Sequence, residues 1–242
     1  MARERGLRAA DDPVKTTKLI TRLSAALLTV LSAQAQVTFQ NLNFESASIP
    51  PGTQVDALIP TSDAFPGWSA YFDSSLLGVQ PATQVTYDGI STGGPVISII
   101  DNNAPVFGPL QGNYSAFLFG GVGTSASISQ TGTIQSGTQS LLMDAWSYDA
   151  SPVVAMNGVP INMIPLQTFA NYTLYGGTVP AADVGPSVTL SFTEPAPATG
   201  GPSMFELDDI SFSPSPVPEP GIIALTAIGG LLFGARKRFA RR

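Results

Sequence analysis

Asp144 and Asp149 flank Trp146 and Tyr148, and no other grouping in the sequence invites carboxylate chemistry. A pair of carboxylates can hydrolyse a glycosidic bond, one as acid and the other as base or nucleophile. The local pattern favours a structural role, because Asp149 followed by Ser151-Pro152 reads as a turn and Asp144 as the end of a strand. Aromatic faces also stack on pyranose rings while polar neighbours bond the hydroxyls. That chemistry makes Trp68, Tyr71, Trp146 and Tyr148 the candidate carbohydrate-binding side chains. Trp68 has a competing role: it follows Pro66-Gly67 and suits a packing plug, as most Trp and Tyr in a sandwich do. Other chemistry is closed off. The chain has no His and no Cys, which removes Ser-His-Asp and Cys-His nucleophiles and the usual zinc sites. No glycine run precedes a helix, so there is no phosphate loop. The expectation is a non-catalytic domain.

The charges fall in an order that sets the topology. Of eleven Lys and Arg, six lie in residues 1–22 and five in 236–242, so residues 23–235 carry none. Thirteen acids lie between Glu45 and Asp209. Without Lys or Arg there is no Schiff-base lysine and no cationic clamp for phosphate or carboxylate. An acidic surface of this kind repels phosphate backbones, so nucleic acid is not a partner. It attracts divalent cations. It also allows no salt bridge, so stability must come from apolar burial and hydrogen bonds, with a bound metal as an optional addition.

Residues 1–35 read as an export signal. A basic lead ends at Arg22, residues 23–31 are mostly apolar, and Ala33-Gln34-Ala35 offers a small-residue cleavage site. At the other end, Pro218 and Pro220 keep the chain extended around Glu219. The run 221–235 holds no charge and would span roughly 22 Å as a helix at about 1.5 Å per residue, short of a bilayer core of about 30 Å. Flanking cations can snorkel to extend its reach. Arg236, Lys237, Arg238, Arg241 and Arg242 then hold the terminus in the cytoplasm by the positive-inside rule. The organisation expected is a signal peptide (1–35), a sandwich domain (36–212), a Pro-rich linker with its motif (213–220), a transmembrane helix (221–235) and a basic tail (236–242). Residues 213–216 are expected to form a stiff extended spacer.

Between the two ends, short apolar runs alternate with Gly, Pro, Asn and Asp. Strands are expected at 37–44, 68–72, 85–87, 96–100, 115–119, 125–130, 139–146, 172–175, 188–192 and 205–212. Residues 153–164 form a hairpin about Asn157-Gly158, a pair suited to the positive φ angles of a type I′ turn. Ser, Thr, Val and Ile outweigh helix formers throughout. With no disulfide available, about 180 residues must supply one core large enough by itself. The pattern predicts an all-β antiparallel β-sandwich, with helices only in the signal and the C-terminal membrane segment.

The order Val217-Pro218-Glu219-Pro220, short glycine-containing apolar run and Arg-Lys-Arg finish resembles the PEP-CTERM sorting signal of Gram-negative bacteria. The resemblance covers about a tenth of the chain. It implies transient anchoring in the inner membrane, processing by an exosortase-type transpeptidase, and delivery to the cell surface or extracellular matrix. An ordinary C-terminal anchor is the alternative.

A second resemblance runs through the middle. Asn43-Phe44-Glu45, Pro66-Gly67-Trp68, Gly112-Asn113-Tyr114-Ser115-Ala116, Ser127-Ile128-Ser129-Gln130 and the stretch 205–212 (Phe-Glu-Leu-Asp-Asp-Ile-Ser-Phe) are similar to galactose-binding-like jelly rolls, among them carbohydrate-binding modules. That likeness implies a jelly-roll fold, exopolysaccharide as a partner, and a structural calcium held by Glu45 with Asp208 or Asp209. Adjacent strand residues face opposite ways, so only one of the two aspartates should face the ion. Otherwise these acids solvate strand edges or bond to turns. Two functional readings follow: a structural or adhesive surface protein, and a carbohydrate-binding module.

Overall fold

Residues Ser187–Glu194 bury every second side chain, and Thr124–Thr133 follows the same period over most of its length, as strands with one face on a core must. The computed structural model describes residues 38–90, 94–149, 152–197 and 203–217. Outside the described residues lie Ala33 and Ala35 of the signal, Pro218, Glu219 and Pro220 of the sorting motif, the apolar run 221–235, and the basic residues Arg236, Lys237, Arg238, Arg241 and Arg242. Among the described residues no helix is long and apolar enough to cross a membrane.

The described strands, in chain order, are β1 (Leu58–Pro60), β2 (Ser69–Ser74), β3 (Gly78–Ala82), β4 (Gln84–Tyr87), β5 (Val96–Asp101), β6 (Tyr114–Gly120), β7 (Thr124–Thr133), β8 (Ser140–Tyr148), β9 (Val153–Met156), β10 (Val159–Pro160), β11 (Met163–Thr168), β12 (Thr173–Thr178), β13 (Ser187–Glu194) and β14 (Ser203–Ser213). One helical turn, α1 (Thr61–Ala64), and a short 3₁₀ turn at Ala181–Asp183 accompany them. An eight-stranded sheet runs β1-β4-β5-β6-β14-β8-β12-β11, and a six-stranded sheet β10-β9-β13-β7-β2-β3. Strand pairs are antiparallel except β4 with β5. The fold is therefore an all-β sandwich, as the spacing of apolar runs predicts, and of the jelly-roll type that the resemblance implies.

The core lies between the sheets and includes Phe44, Trp68, Ile99, Leu118, Ile128, Leu190, Phe192, Phe205 and Leu207. A second apolar cluster covers part of the outer face of the large sheet, with Val96, Ile100, Phe117 and Phe119 under Phe107 and Met204. β5 and β6 are therefore buried on both faces, which explains their nearly unbroken apolar runs.

Three local expectations change. Of the strand expected at 37–44, the described residues 38–44 form none. Thr38 makes one isolated bridge to Thr133, and the chain then turns through Asn41 and Phe44, both at positive φ. The buried Gln130 side chain substitutes for a strand partner, accepting from Gln40 N at 2.6 Å and donating to Gln40 O at 3.0 Å. The Asn157-Gly158 turn forms with φ of 50° and 78°, but its second arm is only two residues long before the chain crosses to β11 in the other sheet. The spacer after β14 is not free. Gln139 Nε2 donates to Pro214 O at 2.6 Å and Ser140 Oγ to Ser215 O at 2.8 Å, fastening it beside the start of β8.

Candidate functional site

Trp68 is core, not ligand surface. It is 5 % exposed, packs between Phe44 and Phe192, and donates its indole N–H to Asn41 O at 3.0 Å. A ring held on both faces cannot stack on a sugar, so the packing role wins. Tyr71 does not join the others either. It lies on β2 between Ala70 and Phe72, both packed into the core, so alternation puts its ring on the outer face of the small sheet.

Trp146 and Tyr148 do share a face. Register sets Trp146 opposite Glu206, Tyr148 opposite Met204, and Asp144 opposite Asp208, all on the outer side of the large sheet. Phe107 lies against Trp146 with ring centroids 4.8 Å apart and against Phe117 at 5.9 Å. Tyr148 is 54 % exposed, while Trp146 is half-buried. Tyr172 enters the same region one residue before Thr173, which pairs with Ala145. Its ring stacks on Phe169 at 4.6 Å, and its hydroxyl accepts from Gln111 Nε2 at 3.3 Å. The result is a strip of rings (Tyr148, Trp146, Tyr172, Phe169) with the polar groups of Asp144 and Gln111 among them.

The short segment Gln111 to Tyr114 organises this face, and three carboxylates hold it. Glu45 Oε1 accepts from Asn113 N at 2.6 Å and Tyr114 N at 3.1 Å, and its Oε2 from Asn113 Nδ2 at 2.8 Å. Asp208 Oδ2 accepts from Gln111 N at 3.1 Å, and Asp144 Oδ2 from Gln111 Nε2 at 2.5 Å. Gly112 has φ of +57° and sits where a Cβ would collide with Glu45 Oε1, so the grip requires glycine there. Burial works to raise the Glu45 pKa, but the Asn113 side chain and the N–H groups of Asn113 and Tyr114 outweigh it and hold it below the ordinary value. Burial lifts Asp144 above its ordinary value and pushes Asp208 up to about 8.

Glu45 and Asp208 thus meet the same segment, and Asp209 does not. Asp209 is exposed, at φ of 43° in a register shift that lets Ile210 N donate to Leu42 O at 2.9 Å. The alternation expected for the pair holds, through a bulge. As a calcium cage the set fits poorly. Both lone pairs of Glu45 Oε1 are taken by amides, and each oxygen of Asp208 already accepts an N–H, Oδ1 from Asp209 N at 2.7 Å and Oδ2 from Gln111 N at 3.1 Å. Glu45 and Asp208 act as a clamp on a loop.

The proposed glycosidase pair also separates. Asp149 lies five residues beyond Asp144 along extended chain, roughly 16 Å at about 3.3 Å per residue, beyond the reach of such a pair. Asp144 and Asp208 do oppose one another across strands, but they are 3 % and 1 % exposed and lie beneath Gln111. Gln111, Tyr172, Phe107 and Phe169 carried no signal in the sequence, since each reaches the face through loop geometry.

No protein-family model and no curated protein matches the chain. Solved structures resemble it in fold alone. The carbohydrate-binding module TmCBM61 in complex with β-1,4-galactotriose aligns at 11% identity with a TM-score of 0.39, covering 74% of this chain and 98% of that one. The enzymatically active domain of tailspike protein 4 from bacteriophage CBA120 gives 11% and 0.35 over 69% of this chain and 21% of its own. The β-glucosidase of Kluyveromyces marxianus in complex with glucose gives 12% and 0.31, over 73% and 18%.

Two further carboxylates define a pH response. Burial pushes Glu206, beside Ser115, and Glu194, beside Ser203, each up to about 7. Acids with a raised folded pKa bind more protons folded than unfolded, so their contribution is full below about pH 4.3 and is lost as pH rises through 7. Urea unfolding is expected to show stability falling between about pH 5 and 8, with a shallower slope in Glu206→Gln and Glu194→Gln. An unchanged slope in both variants contradicts this.

Proposed function

We propose that this chain is an exported, non-catalytic protein of the cell surface or extracellular matrix whose sandwich binds exopolysaccharide on the outer face of its large sheet. The observation that carries the reading is the half-buried Trp146 ring in line with exposed Tyr148 and with Tyr172, bordered by Asp144 and Gln111. Rings supply flat apolar faces, the carbonyl oxygen of exposed Gln111 supplies an acceptor, and the Tyr172 hydroxyl, which accepts from Gln111, supplies a donor for sugar hydroxyls. An acidic domain without cations suits an uncharged glycan better than an anionic one. The absence of His and Cys, and the covered state of Asp144 and Asp208, support a binding role over a hydrolytic one.

Delivery belongs to the same proposal. The confinement of Lys and Arg to residues 1–22 and 236–242 supports export of everything between, and the C-terminal pattern supports anchoring followed by exosortase-type processing. Val217 is the last residue described. Pro214 and Ser215 are fastened beside the start of β8, which supports a motif that begins close to the sandwich.

Two measurements test these halves separately. On a glycan array the full chain is expected to bind neutral polysaccharide, and Trp146→Ala to weaken binding about tenfold, the equivalent of about 1.4 kcal/mol, with thermal unfolding preserved. Binding that ignores the substitution contradicts the site. Mass spectrometry of protein from envelope and medium is expected to give a first residue near 36 and loss of the segment after Pro220. An intact basic tail on surface-delivered protein contradicts processing.

A further inference from the structure

A second carboxylate pair lies away from the ring strip, where β4 and β5 end side by side. Asp88 follows β4 at φ of +51° and is fully buried. Its backbone N–H donates to Ile99 O at 2.9 Å, and its Oδ1 accepts from Asp101 N at 2.8 Å. Its Oδ2 has no hydrogen-bond partner, although the carboxylate of Asp101 stands against it. Asp101 is held firmly. Tyr87 OH donates to its Oδ2 at 2.6 Å, Asn103 Nδ2 to the same atom at 3.0 Å, and Asn103 N to its Oδ1 at 2.6 Å.

Among the described residues nothing positive faces this pair. Tyr114 of β6 is the cross-strand partner of Asp101, Glu45 grips the backbone of that tyrosine, and Asp56 lies beside Gly89. Lys, Arg and His are absent from residues 23–235. A buried charge is normally paired or bound to metal, and no described cationic side chain is there to pair with this one. Glu194 Oε2 is also without a partner, but it has no second carboxylate against it, and a proton suffices there. In the loop after Asp101, Asn102 and Asn103 are exposed.

We propose that Asp88 and Asp101 bind a hard divalent cation of the calcium class, and that this pair, rather than Glu45 with Asp208, is the metal site of the domain. Asp88 Oδ2 and the second lone pair of Asp101 Oδ1 are the carboxylate ligands. Calcium takes six to eight oxygens, and no three acidic groups converge among the described residues, so carbonyls and water complete the shell. A site so poor in charge belongs with the weak extracellular class, with Kd of about 0.1–1 mM.

The probe is terbium on the full chain in detergent at neutral pH, read as tyrosine-sensitised emission, because Tyr87 touches Asp101. Emission is expected, with displacement by millimolar calcium. Asp88→Asn is expected to weaken terbium binding at least tenfold, and the double variant Glu45→Gln/Asp208→Asn to leave it unchanged. Emission absent, insensitive to Asp88→Asn, or lost in the double variant instead overturns the assignment. Should Asp88→Asn not fold, manganese broadening of backbone amide signals in the unaltered chain decides. Broadening centred on Asp88, Gly89, Asn102 and Asn103 supports the site. Broadening centred on Asn113 and Asp209, or none, overturns it.

Discussion

A stretch of more than two hundred residues without a cationic side chain must hold its carboxylates by means other than ion pairs. Amide N–H groups and hydroxyls take that role. Glu45 and Asp208 grip the backbone of the segment after Leu110, and Asp144 grips the side chain of Gln111. Ser115 and Ser203 serve Glu206 and Glu194. Hydrogen bonds to charged acceptors are roughly twice as strong as neutral ones and are directional, so these contacts fix positions as well as offset desolvation. Gln111 is the link to the surface: anchored from below by two aspartates, it touches Tyr172 and completes the polar part of the ring strip.

The same constraint ties stability to surroundings. Glu45 and Asp101 are held below their ordinary pKa values by their donors, so their contributions are lost in acid as pH falls through those values. Glu194 and Glu206 act in the opposite sense. The domain is thus most stable at mildly acid pH, between the two groups of titrations. The confinement of all Lys and Arg to residues 1–22 and 236–242 also leaves the stretch between them uniformly acidic, which disfavours anionic polymers as partners.

Strands were legible wherever burial is one-sided or complete over a long run: the period-two alternation of Ser187–Glu194, the apolar stretch that became β8, and the Asn157-Gly158 turn. The opening stretch carries a strand pattern without forming a strand, because a strand needs a neighbouring backbone and Gln130 supplies a side chain in its place. Trp68 and Trp146 look alike as residues in a sequence. Only the packing of Phe44 and Phe192 around the first separates core from surface. Carboxylate roles were hidden for a different reason: Glu45 meets Asn113 across 68 residues, and Asp208 meets Gln111 across 97. No local spacing encodes such contacts.

The chain has two tryptophans, one sealed and one half-open, which makes the ring strip directly observable. Acrylamide quenching of their fluorescence should resolve a protected fraction from Trp68 and an accessible one from Trp146. Saturation with matrix polysaccharide should convert the accessible fraction to a protected one. Identical quenching with and without bound polysaccharide would contradict the assignment of this face as the binding surface.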